Sequence, residues 1–121
     1  MKLAIVGTRN PGVSYKEWES LLLSKVETSD VSLIVSGGAK GIDTYANLFA
    51  GRHGIPLMEF PPDYAKYGRL ATLRRNTQIV REVNMVIAFP SSDSKGTLHT
   101  TREAQRMKKQ LMVVHVSTRI E

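Results

Sequence analysis

Three short loops in this chain carry residue types that bind anions. They are Gly7-Thr8-Arg9, Ser36-Gly37-Gly38-Ala39, and the segment from Pro90 to Gly96-Thr97. Glycine lets the backbone approach a ligand closely, while hydroxyls, backbone N–H groups and arginine donate hydrogen bonds to it. The chemistry that these residue types share is recognition of phosphate or carboxylate.

The middle loop has the pattern of a strand, a tight turn and a helix start. The run Ile34-Val35 leads into Ser36 and paired glycines, and a helical pattern begins near Ile42. No Gly-Lys-Ser/Thr follows the glycines, so this is not a P-loop, and the spacing does not match the dinucleotide fingerprint. The loop is either an anion-binding turn or a strand–helix corner that needs small residues. Gly38 is expected to provide the close backbone approach.

Strand and helix patterns alternate along the chain and must position these loops. Strands are predicted over residues 2–6, 31–35, 55–60, 84–89 and 111–116, and helices after Ser14, near Ile42, near Leu70 and from about Thr97 to Lys109. The strands are continuously apolar, which favours a parallel sheet covered on both faces. We therefore predict one Rossmann-like three-layer α/β domain over residues 1–121, with a mostly parallel five-stranded sheet.

In such a sheet ligands lie at the carboxyl ends of the strands, where the three loops should meet. Arg75 adds a fork-shaped donor, and Asn76 either contacts the same ligand or ties down the loop 61–68. Asp43 either accepts a hydrogen bond from a ribose hydroxyl or stabilises the first turn of its helix. Tyr64 and Tyr67 are candidates for stacking on a base, whereas Trp18 fits the core. The predicted ligand-binding residues are Gly7, Thr8, Arg9, Ser36, Gly37, Gly38, Ala39, Asp43, Arg75, Asn76, Gly96 and Thr97. No catalytic residue is assigned.

Composition narrows the class of protein. The 121 residues include 17 Lys and Arg against 11 Asp and Glu, a net charge of +6, and no cysteine. This balance favours an anionic partner, and nucleic acid and a small phosphorylated ligand fit it equally well. We expect a cytoplasmic protein with no membrane segment, no disulfide, no cofactor and, since no metal-ligand spacing occurs, no metal. The basic residues of the last two helices are expected on separate, opposite faces.

The loops together resemble the SLOG superfamily, named for the Smf/DprA and LOG proteins. The matching blocks are Ile5 to Arg9, Val35 to Asp43, Arg75-Asn76, and Gly96-Thr97 before a helix. The chain is most similar to the small, stand-alone YspA-type branch. That resemblance implies binding of a nucleotide or nucleotide-derived ligand, such as an ADP-ribose-type signal.

Two better-known relatives imply alternatives. LOG enzymes are phosphoribohydrolases that cleave the N-glycosidic bond of nucleoside 5′-monophosphates, but positions where they carry acids read Gln78, His99 and Thr100 here. Asp43 and Asp93 are possible substitutes. DprA proteins bind single-stranded DNA, for which we expect only weak association. Because LOG and DprA proteins commonly self-associate, the resemblance also implies a homodimer.

Overall fold

A computed structural model of the protein describes residues 1–92 and 94–116. In chain order, its elements are β1 (Lys2–Gly7), α1 (Tyr15–Leu23), β2 (Leu33–Ser36), α2 (Ile42–His53), β3 (Leu57–Glu59), α3 (Tyr64–Tyr67), α4 (Ala71–Glu82), β4 (Met85–Phe89), α5 (Lys95–Arg106) and β5 (Gln110–Val113). Short 3-10 turns lie at Thr28–Asp30 and Gly68–Leu70. Asp93, a possible catalytic carboxylate by sequence, lies outside the described residues.

The five strands form one parallel sheet in the order β3-β2-β1-β4-β5. This confirms the predicted five-stranded parallel sheet and places β3 at an edge. Strand order reverses direction between β1 and β4, so the loops after these two strands diverge to opposite faces. Such a switch point leaves a crevice at the carboxyl edge of the sheet.

Successive residues of the central strand face opposite helix layers. Leu3 and Ile5 join a core completed by α1 and α2, while Ala4 and Val6 join a core completed by α4 and α5. Both faces of the sheet are therefore covered, and the three-layer α/β prediction is confirmed. Among the described residues no helix is long and apolar enough to cross a membrane.

Trp18 anchors the first core, as its helical spacing predicts. It is fully buried, and the ring of Phe89 lies 5.6 Å from it between centroids. The start of its helix is held by the predicted capping box, in which the Glu17 backbone N–H donates to Ser14 Oγ at 3.1 Å. The box fixes where α1 begins and hence which face of it meets the sheet.

The spacing of Leu70, Leu73, Thr77 and Val80 predicts the buried face of α4, and of these residues only Val80 is buried. Leu70 and Leu73 are 53% and 41% exposed, whereas Ile79 and Val80 are buried. The reason is Asn76, a polar residue that occupies a buried position on the face toward the sheet. Hydrophobic periodicity predicts that a polar residue faces solvent. The predicted buried face of the helix is therefore shifted away from the face that packs on the sheet.

The expectation that the basic residues of α4 and α5 lie on opposite parts of the fold was also wrong. The two helices pack side by side against the same face of the sheet. Thr77 Oγ1 on α4 donates a hydrogen bond to Glu103 Oε1 on α5 at 2.7 Å. The exposed arginines of both helices therefore belong to one layer of the molecule.

Glu103 gives this helix pair a pH dependence. Its carboxylate accepts hydrogen bonds from Arg106 and Thr77, which lower the pKa of Glu103 from 4.5 to about 2. A lowered folded-state pKa contributes stability above the ordinary pKa, and that contribution is lost as the pH falls from 4.5 toward 2. We expect Glu103→Gln to lower the thermal midpoint at neutral pH, by a margin that shrinks in acid.

The measurement is thermal unfolding followed by circular dichroism between neutral and acidic pH. Glu82→Gln is the matched control, because Glu82 pairs with Lys2 at 3.3 Å where both side chains are well exposed. Exposed pairs contribute little. A midpoint for Glu103→Gln that equals the wild-type value at neutral pH would contradict this account of the α4–α5 contact.

Candidate functional site

An open cleft of about 420 Å³ lies beyond the carboxyl ends of β1, β2 and β4. We call it the main lobe. Its lining comes from the three loops together with one face of α4 and the start of α5: Val6, Gly7, Thr8, Arg9, Asn10, Gly37, Ala39, Asp43, Thr72, Arg75, Asn76, Ile79, Ser94, Lys95, Gly96, Thr97 and Thr100. The parallel sheet thus brings the three loops together at one edge.

A second cavity of about 320 Å³ adjoins the main lobe, and we call it the side lobe. It is lined by Arg9, Gly37, Gly38, Ala39, Glu59, Pro61, Pro62, Tyr64, Thr72 and Arg75. The lobes share Arg9 and Arg75, so the two guanidinium groups belong to the wall between them.

All of the predicted site residues except Ser36 line one lobe or the other. Ser36 is fully buried, and its Oγ accepts a hydrogen bond from the Gly38 backbone N–H at 3.3 Å. It therefore stabilises the turn and does not reach the cleft. Gly38 adopts a φ of +74°, a conformation that favours glycine. This backbone conformation explains why a glycine occurs at position 38.

Arg75 is held against the glycine turn. Its Nη1 donates to the Gly37 carbonyl oxygen at 2.9 Å, and its Nε donates to Asn76 Oδ1 at 2.9 Å. A Cβ added at Gly37 would lie 2.9 Å from Arg75 Cζ, so the guanidinium occupies the space that only a glycine leaves. Burial lowers the pKa of Arg75, and the nearby Asp43 carboxylate opposes that shift. Within residues 1–92 and 94–116, no hydrogen-bond partner is found for Nη2.

Asn76 connects this arginine to the loop before α5. It is 6% exposed, and its Nδ2 donates to the Gly96 carbonyl oxygen at 3.4 Å and lies 3.4 Å from His99 Nδ1. Of the two roles that the sequence left open for Asn76, the tie to the loop 61–68 is not seen, because Asn76 instead ties Arg75 to the third loop. The ligand contact stays a prediction. Asn76 also lines the main lobe.

The first turn of α2 makes hydrogen bonds with the preceding chain and carries an acidic residue, Asp43. The Ile42 N–H donates to the Thr8 carbonyl oxygen at 3.1 Å, and the Asp43 carboxylate accepts from the Ala39 N–H at 3.1 Å. Burial raises the pKa of Asp43, while the Ala39 N–H and Arg75 act in the opposite direction. A second anion would face this carboxylate, so the glycine turn before α2 is a poor phosphate site.

The first turn of α5 differs from that of α2 in its hydrogen bonding and in its charge. Ser94 precedes the helix without capping it, since its Oγ accepts from the Ser91 N–H at 2.9 Å. The turn contains no acidic residue and carries the exposed Lys95, and outside this helix no described residue has an atom within 4 Å of a Cβ added at Gly96. The leading N–H groups of a helix lack intrahelical partners and favour an anion. Among the described residues, this helix start therefore has N–H groups and a basic side chain that suit an anion.

Several residues that line the two lobes were not predicted from the sequence. Thr72 lines both lobes, and its position three residues before Arg75 on the same helix is the signal that would have found it. Lys95 was not singled out, although it directly precedes Gly96-Thr97. Glu59 was overlooked because the short edge strand β3 carried no recognisable motif.

The buried Asp43 carboxyl yields a stability prediction. Because its folded-state pKa is raised, its contribution to stability is fully present below its ordinary value of 3.8 and is lost as the pH rises through the folded value. We expect Asp43→Asn, whose amide oxygen can still accept from Ala39, to raise the thermal midpoint at neutral pH. The gain should disappear in acid. A lower midpoint at neutral pH would show that the ionised carboxylate is stabilising.

Comparisons with known proteins agree with this architecture. Residues 1–59 match the family model of DNA recombination-mediator protein A. The Gene 61 protein of Mycobacterium phage D29 is 35% identical over 81 residues, which are 61% of this chain and 64% of the phage protein. The first part of the chain, residues 1–59, is thus similar to that family, in agreement with the resemblance that the glycine-turn block indicated.

Two solved structures share the fold. The X-ray structure of DNA processing protein A (DprA) from Streptococcus pneumoniae superposes with a TM-score of 0.69 at 21% identity, covering 93% of this chain and 49% of that one. DNA processing protein A from Helicobacter pylori, in a structure describing its single-stranded DNA binding mode, gives 0.61 at 23% identity, covering 93% and 64%. This chain therefore spans between about half and two thirds of these relatives.

Proposed function

We propose that the cleft binds a nucleotide or a nucleotide-derived ligand, with its phosphate at the first turn of α5 and its sugar toward Asp43. The observation that carries the proposal is the grouping of Arg9, Arg75, Lys95 and the start of α5, where Ser94 makes no side-chain cap, around one open space at the strand-order switch point. Small-molecule sites of α/β proteins occur at such points, and about 420 Å³ is within their usual size range.

The charges of the cleft orient such a ligand. Lys95 and the α5 N-terminus attract phosphate, whereas Asp43 repels it and suits a ribose hydroxyl as a hydrogen-bond acceptor. The side lobe extends the cleft past Arg75, so an ADP-ribose-type ligand would use both lobes. We also propose that residues 1–121 form one domain.

A thermal-shift screen against nucleoside mono- and diphosphates, NAD and ADP-ribose tests the proposal. A ligand at about 100 times its Kd should stabilise the protein by about 2.7 kcal/mol. No shift with any phosphorylated ligand would contradict it.

Lys95→Ala is expected to weaken phosphate binding about tenfold, because a charge-assisted contact is lost while the backbone donors remain. Lys95 is exposed, so its removal should leave the thermal midpoint of the free protein unchanged. Lys16→Ala, an equally exposed lysine on α1 behind the opposite face of the sheet, is the matched control. Calorimetric titration with a nucleoside monophosphate is the measurement. Equal affinities of the two variants would show that Lys95 is not part of the phosphate site.

Single-stranded DNA is the second candidate. It is favoured by the DNA binding described for the Helicobacter pylori relative and by the common layer formed by α4 and α5, whose exposed basic side chains include Arg74, Arg81, Arg102 and Arg106. Fluorescence anisotropy of a labelled oligonucleotide at several salt concentrations tests it. We expect weak, steeply salt-dependent association, because phosphate contacts release counterions. Tight binding at physiological salt would place DNA ahead of a small ligand.

The hydrolytic alternative depends on a carboxylate in the cleft. Gln78 is exposed, and Thr100 Oγ1 donates to the Gly96 carbonyl oxygen at 3.1 Å, so neither supplies an acid or base. Asp43 is the carboxylate that lines the described part of the main lobe. We expect nucleoside monophosphates to remain intact on chromatography. Release of free base that is lost in Asp43→Asn would instead support cleavage. The homodimer stays a prediction, which light scattering tests.

A further inference from the structure

The side lobe has walls that suit a flat ring. Tyr64 is 61% exposed, and Pro61 and Pro62 line the same cavity. Within the described residues no ring or cation lies over Tyr64, whereas Lys66 and Arg74 lie 5.2 and 5.5 Å from the ring centroid of neighbouring Tyr67. The face of Tyr64 is therefore open to a ligand, and aromatic side chains stack on nucleobases of every type.

Glu59 supplies the polar group of this lobe. It ends β3, paired in register with Ser36, and its Oε2 would lie 3.4 Å from a Cβ added at Gly38. Over residues 1–92 and 94–116 its carboxylate has no hydrogen bond or ion pair. Its charge helps to raise the pKa of Asp43. An exposed acceptor at the end of an open aromatic cavity is placed to contact a ligand.

The two lobes consequently differ in charge. Besides Arg9 and Arg75, which line both lobes, the main lobe carries Lys95, Asp43 and the start of α5, whereas the side lobe carries Glu59. A phosphate is therefore favoured more by the main lobe, where Lys95 adds to the two arginines, than by the side lobe, where Glu59 opposes them. A nucleotide lying across the wall formed by Arg9 and Arg75 would place its uncharged base beside Tyr64.

We propose that the side lobe is a base subsite in which Glu59 selects guanine; this inference rests on the proposed function. An ionised carboxylate only accepts hydrogen bonds. Guanine presents two adjacent donors, N1–H and the 2-amino group, which match both carboxylate oxygens. Adenine and cytosine present one amino group beside a ring acceptor, and uracil presents a single N–H between two carbonyl oxygens. The expected order of affinity is guanine first and uracil last.

Calorimetric titration with GMP, IMP, AMP, UMP and ribose 5-phosphate tests the subsite. IMP differs from GMP only in lacking the 2-amino group, so we expect GMP to bind about tenfold tighter. Glu59→Gln should bring GMP and IMP to within about threefold, because the amide offers only one acceptor oxygen. Glu59 is exposed on an edge strand, and Glu27→Gln is the control for loss of one exposed negative charge.

Variants of Tyr64 provide a second, independent test of the base subsite. Tyr64→Ala should weaken all four nucleotides about tenfold and leave ribose 5-phosphate unchanged, while Tyr64→Phe should retain wild-type affinities. A loss of ribose 5-phosphate binding in Tyr64→Ala would mean that Tyr64 supports the phosphate site and not a base.

The outcomes separate this inference from the proposed function. If ribose 5-phosphate binds and the four nucleotides bind equally, or AMP binds tightest, the guanine subsite is overturned while the nucleotide cleft stands. If ribose 5-phosphate and all four nucleotides fail to bind, the proposed function fails and the subsite with it. Tighter binding of GMP that persists in Glu59→Gln would assign the selectivity to another residue.

Discussion

Arg75→Ala is expected to lower the affinity for nucleoside monophosphates by about 100-fold. Arg75 belongs to the wall between the lobes, and within the described residues its Nη2 is unpartnered while Nη1 and Nε are bound to the protein. The guanidinium is therefore already oriented, and little side-chain entropy is lost when a phosphate binds. Calorimetric titration is the measurement.

The neighbouring arginine is the matched control. Arg74 is exposed and lies over the ring of Tyr67 at 5.5 Å, so Arg74→Ala removes the same charge from the same helix outside the cleft. Arg75→Lys should recover only part of the affinity, since an ammonium cannot keep both contacts to Gly37 and Asn76. Equal affinities of the Arg74 and Arg75 alanine variants would contradict the assignment.

Gly37→Ala is expected to lower the affinity as much as Arg75→Ala does, without removing any charge. The added Cβ would lie 2.9 Å from Arg75 Cζ, closer than real Cβ contacts occur, and 3.1 Å from Asp43 Oδ2, which is tight. Because the turn is fixed between β2 and α2, the guanidinium, at the end of a long side chain, must move out of its position. The combined variant Gly37→Ala/Arg75→Ala should lose little more than either alone, a coupling that a double-mutant cycle measures.

Gly51→Ala is the control for this substitution, because nothing lies within 4 Å of a Cβ added there on α2. It should keep wild-type affinity and gain slightly in stability, as alanine is favoured over glycine in a helix. Full additivity of the Gly37 and Arg75 changes would show that Gly37 acts through something other than the guanidinium.

The sheet and the meeting of the loops could be predicted because their signals are local. Continuous apolar strands alternating with helices specify a covered parallel sheet, and parallel strands end at one edge. The same reasoning placed Arg75 and Gly96 in one cleft. It also assigned the close backbone approach to Gly38, whereas the close contact seen here is between Gly37 and Arg75. Which of two adjacent glycines faces the site depends on tertiary contacts that the sequence does not display.

Two features could not be predicted from the sequence, namely the placement of α4 beside α5 and the burial of Asn76. The neighbouring placement of α4 and α5 follows from the order of the strands, which no local pattern encodes. Asn76 is buried and connects Arg75 to Gly96, and this polar residue in the core-facing stripe displaced the predicted face of α4. Sites are where periodicity rules are expected to fail, since ligand binding requires polar groups at positions that packing alone would make apolar.

An NMR titration of backbone amides with GMP tests the central claim most directly, because it reports both binding and its location. Saturable shifts should concentrate on the amides of Lys95, Gly96 and Thr97 at the start of α5 and on Gly37, and they should be lost in Arg75→Ala. The amides of α1, behind the opposite face of the sheet, should remain unchanged. Saturable shifts confined to surfaces away from the carboxyl edge, or no shifts at millimolar nucleotide, would contradict a nucleotide site in this cleft.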